Sequence, residues 1–120
     1  MDQNSIERDV GSTTISLDVL HKIARLTTLS VNGVSRMAFQ RGNVERLFRK
    51  DGYQGANVRL KNGRVFVEIY VVMMSDQNVR NVAREIQARV SRAISEMIGM
   101  EVGGVNIHIM DIDFGAEALQ

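Results

Sequence analysis

Two segments of the chain place apolar residues at the three- and four-residue spacing of an amphipathic helix. The first, ISLDVLHKIARLTTLSV, predicts a helix that Ser16 caps and that the Asn32–Gly33 turn ends. Its predicted core stripe consists of Val19, Leu20, Ile23 and Leu26. The second, SDQNVRNVAREIQARVSRAISEMIG, predicts the longest helix of the chain, because its apolar stripe continues over roughly five turns.

The boundaries of the long helix have their own signals. Ser75 or Asp76 is the predicted N-cap, and Gly99 follows the last apolar turn, where a left-handed glycine commonly ends a helix. Between the two helices, NVERLFRK predicts a shorter helix from Asn43 to Lys50, with apolar side chains on one side.

The clearest strand pattern is a hairpin. ANVRL and RVFVEIYVVM flank KNG, and the Asn62–Gly63 pair suits the positive backbone angles of a tight turn. A third strand, GGVNIHIM, follows the long helix. If it lies beside the second strand, a right-handed crossover makes that pair parallel.

These elements predict the fold class. The order is helix, short helix, strand, strand, helix, strand, which indicates a two-layer α+β domain. We expect a small mixed sheet of about three strands with the helices packed on one face. Residues 14–114 are the predicted domain, 1–13 a flexible N-terminal tail and 115–120 a short C-terminal tail.

Composition narrows the class of protein. The chain has 120 residues, 44% of them hydrophobic and 24% charged, as expected for one globular domain. It contains no cysteine, which excludes disulfides, thiolate metal sites and cysteine nucleophiles. No apolar run approaches the ~20 residues of a membrane-spanning helix, and the polar start does not resemble a signal peptide. We therefore expect a cytoplasmic protein.

The stretch NIHIMDIDF places His108, Asp111 and Asp113 within six positions, a set of residue types that commonly binds metals. Strict strand alternation places His108 on one face with Met110 and Ile112, and both aspartates on the other. His108 and Asp111 then point apart, so we expect no metal site. We interpret His21 as a surface histidine of the first helix, and we find no common catalytic motif. The prediction is a non-enzyme with no cofactor and no small-molecule substrate.

Charge is distributed unevenly along the chain. Net charge is only +1, but the stretch from Arg36 to Arg64 contains eight basic residues and two acidic ones, a local net charge of +6. This segment predicts weak attraction to nucleic acid or anionic lipid. The candidate anion-binding residues are Arg41, Arg46, Arg49, Lys50, Arg59 and Arg64. GYQG at Gly52–Gly55 has the form of a nucleic-acid clamp, but we interpret it as a turn between a helix and a strand.

The second face of the sheet is the stronger indication of function. It combines aromatic and apolar side chains with Glu68 and is too apolar to be left in water. Either the first helix or another chain must cover this face. Because few helices are available to cover two sheet faces, we expect self-association through this surface. The candidate interface residues are Phe66, Tyr70, Val72, His108 and Met110.

In order along the chain, several segments resemble the alkaline shock protein family of Gls-type envelope stress response proteins. They are ISLDVLHKIARLTTLSVNGVSRM, VFVEIYVVM, VAREIQARVSRAISEMIGMEV and VNIHI, and the resemblance covers about Ile15 to Phe114. It implies a non-enzymatic cytoplasmic protein that self-assembles and sits at the inner membrane face through a membrane-anchored partner. A role in stress tolerance or in control of lipid synthesis is also implied, and no catalytic residues are.

Overall fold

The computed structural model describes residues 10–38 and 55–115. The described elements, in chain order, are α1 (Leu17–Leu29), β1 (Val34–Met37), β2 (Ala56–Lys61), β3 (Arg64–Met74), α2 (Val79–Met97) and β4 (Glu101–Asp113). The predicted α+β class is confirmed. The helix predicted from Asn43 to Lys50 and most of the GYQG turn lie outside the described residues.

The sheet is built around β3, the strand with partners along both edges. Along one edge β2 and then β1 pair with it antiparallel, and along the other edge β4 pairs with it in parallel. The parallel pair follows from the crossover through α2, as predicted. Within the described residues the sheet is therefore mixed and has four strands. The fourth is the short strand β1, which follows α1 and which the sequence did not indicate.

Tyr70 marks the point where β1 and β2 meet along the edge of β3. The Ala38 N–H donates to the Tyr70 carbonyl at 2.8 Å, and the Tyr70 N–H donates to the Gly55 carbonyl at 2.7 Å. The chain thus leaves the sheet at Ala38 and returns at Gly55 beside one residue. The hairpin from β2 to β3 has the predicted turn, with φ of 54° at Asn62 and 76° at Gly63.

Both helices cover the same face of the sheet. The odd-numbered residues of β3 from Val65 to Val71 are fully buried beneath them, together with part of the apolar stripe predicted for α2. The buried residues of that stripe are Val82, Ile86, Val90 and Ile94, whereas Met97 at its end is exposed. The predicted N-cap of α2 was wrong. Asn78 caps the helix by accepting from the Asn81 N–H at 3.1 Å, which starts α2 two residues later than Asp76 would.

Helix α1 begins at the predicted cap, since Ser16 accepts from the Val19 N–H. Its buried side differs from the prediction. Leu20, Ala24 and Thr28 face the core, whereas Val19 and Leu26 are 43% and 53% exposed. The prediction holds for Leu20 and for Ile23, which packs partly buried against the core, but the other buried positions of α1 carry smaller residues than predicted.

His21 is buried, so its interpretation as a surface histidine was wrong. The side chain is 8% exposed and connects α1 to β2. The Val58 N–H can only donate, so His21 Nε2 accepts from it at 3.1 Å. The ring proton therefore lies on Nδ1, 2.7 Å from the Leu17 carbonyl that accepts it. A neutral imidazole thus provides the buried Val58 N–H with an acceptor.

Candidate interaction face

The side of the sheet away from the helices carries the candidate site, and we call it the open face. β3 contributes Phe66, Glu68 and Tyr70, which alternate with the buried residues of the same strand. β4 contributes Asn106 and His108, which are in register with Glu68 and Tyr70. β2 contributes Arg59, which pairs with Phe66.

Glu68 is the centre of a polar network on the open face. Its Oε1 is 2.6 Å from His108 Nε2, and its Oε2 accepts from the Asn106 side-chain amide at 2.7 Å. Partial burial would raise the pKa of Glu68, but the hydrogen bonds from His108 and Asn106 lower it more, with help from the charge of Arg59. The net pKa of this carboxyl lies below its ordinary value of 4.5, so Glu68 is ionised at neutral pH.

Tyr70 stacks on His108. The two ring centroids are 4.6 Å apart and the ring planes are 13° from parallel. Because Glu68 holds one nitrogen of the imidazole and Tyr70 covers one of its faces, the orientation of the ring is fixed before any partner arrives. The result is a preorganised flat surface with a polar edge, which is a common composition for the centre of a protein interface.

Phe66 forms the other aromatic part of the open face. Its ring lies over the backbone of Gly103, so closely that a Cβ atom there would stand 2.4 Å from Phe66 Cζ. The Arg59 guanidinium carbon is 5.6 Å from the centroid of the same ring, within the range of a cation–π contact. The absence of a side chain at position 103 is thus what lets the ring lie flat on the sheet.

Two candidate interface residues differ in their placement from the other three. Val72 is only 3% exposed and offers almost no contact surface. It is flanked by Arg36 of β1 and Asp111 of β4. Met110 is 49% exposed and is the extra residue of a bulge in β4, two positions after His108 along the strand. The candidate surface therefore consists of Phe66, Tyr70, His108 and Met110.

The same bulge changes the alternation in NIHIMDIDF. Val71 pairs with Ile109, but Val72 pairs with Asp111, so every residue after Met110 is shifted to the opposite face. Ile112 packs against the core instead of lying beside His108. Asp111 and Asp113 consequently share the open face with His108. The prediction that His108 and Asp111 point apart is therefore wrong, because β4 is not a regular strand at Met110.

The three side chains nevertheless have separate partners. His108 is bonded to Glu68, and Asp111 accepts from the N–H of Ile112. Asp113 accepts from the Ser35 hydroxyl at 2.6 Å and from the Gly115 N–H at 2.9 Å, and these bonds lower the pKa of its carboxyl. Within residues 10–38 and 55–115, no group of three metal-binding side chains is close enough to hold an ion.

The candidate anion-binding residues are only partly described. Arg59 lies over Phe66, and Arg64 forms an ion pair of 3.3 Å with Glu101. The other four, Arg41, Arg46, Arg49 and Lys50, lie outside the described residues. The two described arginines are two positions apart in register along the hairpin, since Arg59 pairs with Phe66 and Arg64 lies at the start of the same strand.

Comparison with known proteins identifies the family. The alkaline shock protein (ASP23) family, described as having a cell envelope-related function, matches residues 5–114. The chain belongs to this family. The resemblance noted from the sequence is thereby confirmed, and the family connects the chain to the cell envelope.

Curated relatives share most of the length of the chain. The uncharacterized protein YqhY of Bacillus subtilis is 27% identical over 111 residues, covering 91% of this chain and 82% of YqhY. YloU of Bacillus subtilis is 23% identical over 106 residues and covers 85% of this chain and 88% of YloU. Spy1614 of Streptococcus pyogenes is 26% identical over a stretch of the same length.

Solved structures of the MamM CTD share the fold. Its copper form aligns over 82% of this chain and 89% of that chain, with a TM-score of 0.50 and 12% identity. The copper form of a variant of that domain aligns with the same TM-score and 11% identity. At this identity the likeness concerns the fold alone. In the described part of the chain, neither helix has the length and apolar character needed to cross a bilayer.

Proposed function

We propose that this member of the alkaline shock protein family is a non-enzymatic interaction protein that associates with itself through the open face. In this proposal it works in the cytoplasm and reaches the inner face of the membrane by docking on a membrane-anchored partner. The observation that carries the proposal is the aromatic surface of Phe66, Tyr70 and His108, on the side of the sheet that the helices leave uncovered. Glu68 orients the His108 ring within this surface. The cell envelope-related function of the family supports the membrane setting.

The chemistry of the open face supports binding better than catalysis. Both oxygens of Glu68 are occupied, one by His108 and one by Asn106, so the carboxylate orients its neighbours. The face is an open sheet surface with its rings stacked flat, whereas a catalytic pair usually works in a concave site that excludes water. A flat aromatic surface is suited to contact with a second flat surface.

Light scattering coupled to size-exclusion chromatography tests the self-association. The wild-type mass should exceed that of one chain and rise with concentration. Tyr70→Glu should shift the protein to monomer, because it places a charge at the centre of the contact, and Met110→Lys should weaken association from the rim. Leu60→Glu, which alters an exposed apolar residue at the end of β2, is the matched control and should behave as wild type. A wild-type protein that stays monomeric at high concentration would overturn the proposal.

A competing proposal is binding of nucleic acid or anionic lipid through the basic 36–64 segment. Its support is the local net charge of +6. Binding of this kind should weaken steeply with added salt and should be lost when Arg41, Arg46, Arg49 and Lys50 are changed together to Gln. Absence of binding to either polyanion at low salt would exclude it. A role in the control of lipid synthesis, the third alternative, requires a partner enzyme that co-purifies with the chain.

A further inference from the structure

The outward side of the helices forms a second surface, on the opposite side of the molecule from the open face. Val19 and Leu26 are seven positions apart and therefore lie on one side of α1, opposite the buried Leu20 and Ala24. Both are about half exposed, and Leu29 is exposed near the end of the same helix. Lys22 lies between them and is exposed as well. The side of α1 that faces away from the sheet is thus apolar and carries a cation.

Helix α2 adds positive charge to the same surface. Arg84 and Arg92 are exposed and lie opposite the buried Ile86, Val90 and Ile94. The two helices pack side by side on one sheet face, so their outward sides form one continuous layer. We call this surface the helix layer, and we define it by Val19, Lys22, Leu26, Leu29, Arg84 and Arg92.

Among the described elements, charge is distributed unevenly between the two layers. The helices contain six basic residues and three acidic ones, a net charge of +3. The four strands contain four of each, a net charge of zero. A surface helix of a globular domain usually turns its apolar residues toward the core. Helix α1 also presents apolar residues outward, beside cations. That arrangement is typical of helices that lie in the interface of an anionic bilayer.

We propose that the helix layer binds directly to the surface of an anionic lipid bilayer. Apolar side chains of α1 enter the headgroup region while Lys22, Arg84 and Arg92 contact the phosphates. A bilayer fits better than an acidic peptide because these residues project from an outward layer instead of lining a groove. The contact uses neither the open face nor the basic 36–64 segment, so it does not depend on the self-association proposed above.

Vesicle co-sedimentation of the full chain tests this inference. The probes are vesicles of phosphatidylcholine alone and of phosphatidylcholine mixed in equal parts with phosphatidylglycerol. We expect binding to the anionic vesicles only, and we expect it to weaken with salt. The double variant Arg84→Gln/Arg92→Gln should weaken binding by about tenfold or more. Val19→Ser/Leu26→Ser should weaken it comparably while net charge stays the same, which isolates the apolar contribution.

The matched control removes two exposed cations from the sheet. Arg36→Gln/Lys61→Gln has the same net charge as the helix variant and should bind like wild type. Tyr70→Glu, which tests the open face, should keep its affinity for vesicles, so the two proposals can fail separately. Equal weakening by both pairs of cation variants would show attraction by net charge alone and would overturn the assignment to the helix layer.

A fluorescent probe distinguishes a bilayer from an acidic protein. The chain contains no Trp, so Leu26→Trp introduces a single reporter on the helix layer. Its emission should shift to the blue with anionic vesicles, whereas Leu60→Trp at the end of β2 should not respond. Binding to polyglutamate as tightly as to vesicles, with no shift of the Leu26→Trp emission, would overturn the bilayer in favour of an acidic protein partner. Failure to sediment with anionic vesicles at low salt would overturn the inference altogether.

Discussion

Glu68 determines the arrangement of polar groups on the open face. One carboxylate orients an imidazole and an amide on the neighbouring strand, and the imidazole in turn supports the Tyr70 ring. Hydrogen bonds to an ionised acceptor are stronger than those between neutral groups, so this network holds its geometry better than neutral side chains would. An interface residue that is already ordered loses less entropy on binding.

The lowered pKa of Glu68 predicts an acid-dependent loss of stability. Folding favours the ionised form, so the stabilisation is fully present above about pH 4.5 and is lost as pH falls through the folded-state pKa. Glu68→Gln removes this titration, so its free energy of unfolding should depend less on pH in the acid range. Urea unfolding of both proteins at a series of pH values measures the difference. Identical pH profiles would contradict the bonds assigned to Glu68.

Substitution of His21 should also change stability, because its side chain accepts a hydrogen bond from the buried Val58 N–H. His21→Ala removes the acceptor of the Val58 N–H and leaves a space between α1 and β2. We expect the free energy of unfolding to fall by about 1–3 kcal/mol. Urea denaturation measures this, with Lys22→Ala, at the next and exposed position of the helix, as the control. A His21→Ala protein as stable as the control would show that the hydrogen bond to Val58 has little weight.

Residue-level features could be predicted where their partners are local. Ser16 and the Asn62–Gly63 turn act within a few positions, and both were anticipated correctly. His21 contacts a strand 37 positions away, so nothing in its own neighbourhood indicated burial. Because the Leu17 carbonyl accepts the Nδ1 proton of His21, Nε2 points toward the sheet. That arrangement depends on where α1 lies on the sheet, which the local sequence does not reveal.

At the scale of elements, β4 is the least regular strand and has the greatest effect on the site. Its two extra residues, Gly103 and Met110, interrupt the register with β3. The bulge at Met110 brings both aspartates to the open face, and Gly103 makes room for Phe66. Composition and alternation predicted the existence of the strand. They could not predict its bulges, because a bulge depends on how the neighbouring strand is matched.

Substitution of Gly103 tests how the Phe66 ring lies on β4, and the neighbouring Gly104 provides the control. In Gly103→Ala the new methyl group would stand 2.4 Å from Phe66 Cζ, so the ring must leave the sheet and its contact with Arg59. We expect a loss of about 1–3 kcal/mol in the free energy of unfolding. In Gly104→Ala the methyl group would lie at an ordinary 3.8 Å from Phe66, so stability should change little. Thermal or urea unfolding of the two variants measures both changes in stability. Equal effects would contradict the proposed fit of the ring.

The whole molecule has two unlike faces on opposite sides of one core. The open face carries stacked rings and a balanced set of charges, and the helix layer carries exposed apolar residues among cations. The two-layer fold and the parallel β3–β4 pair could be predicted because periodicity and crossover handedness act on whole elements. The exposed side of α1 could not, because it depends on where the sheet meets the helix.

The central claim is that copies of this chain meet through the open face, and a concentration series of two-dimensional 15N NMR spectra tests it residue by residue. On going from dilute to concentrated protein, we expect backbone signals to shift at Phe66, Tyr70, His108 and Met110, while those of α1 and α2 stay unchanged. The same shifts should be absent in Tyr70→Glu. Spectra that do not change with concentration, or shifts confined to the helix layer, would contradict the claim.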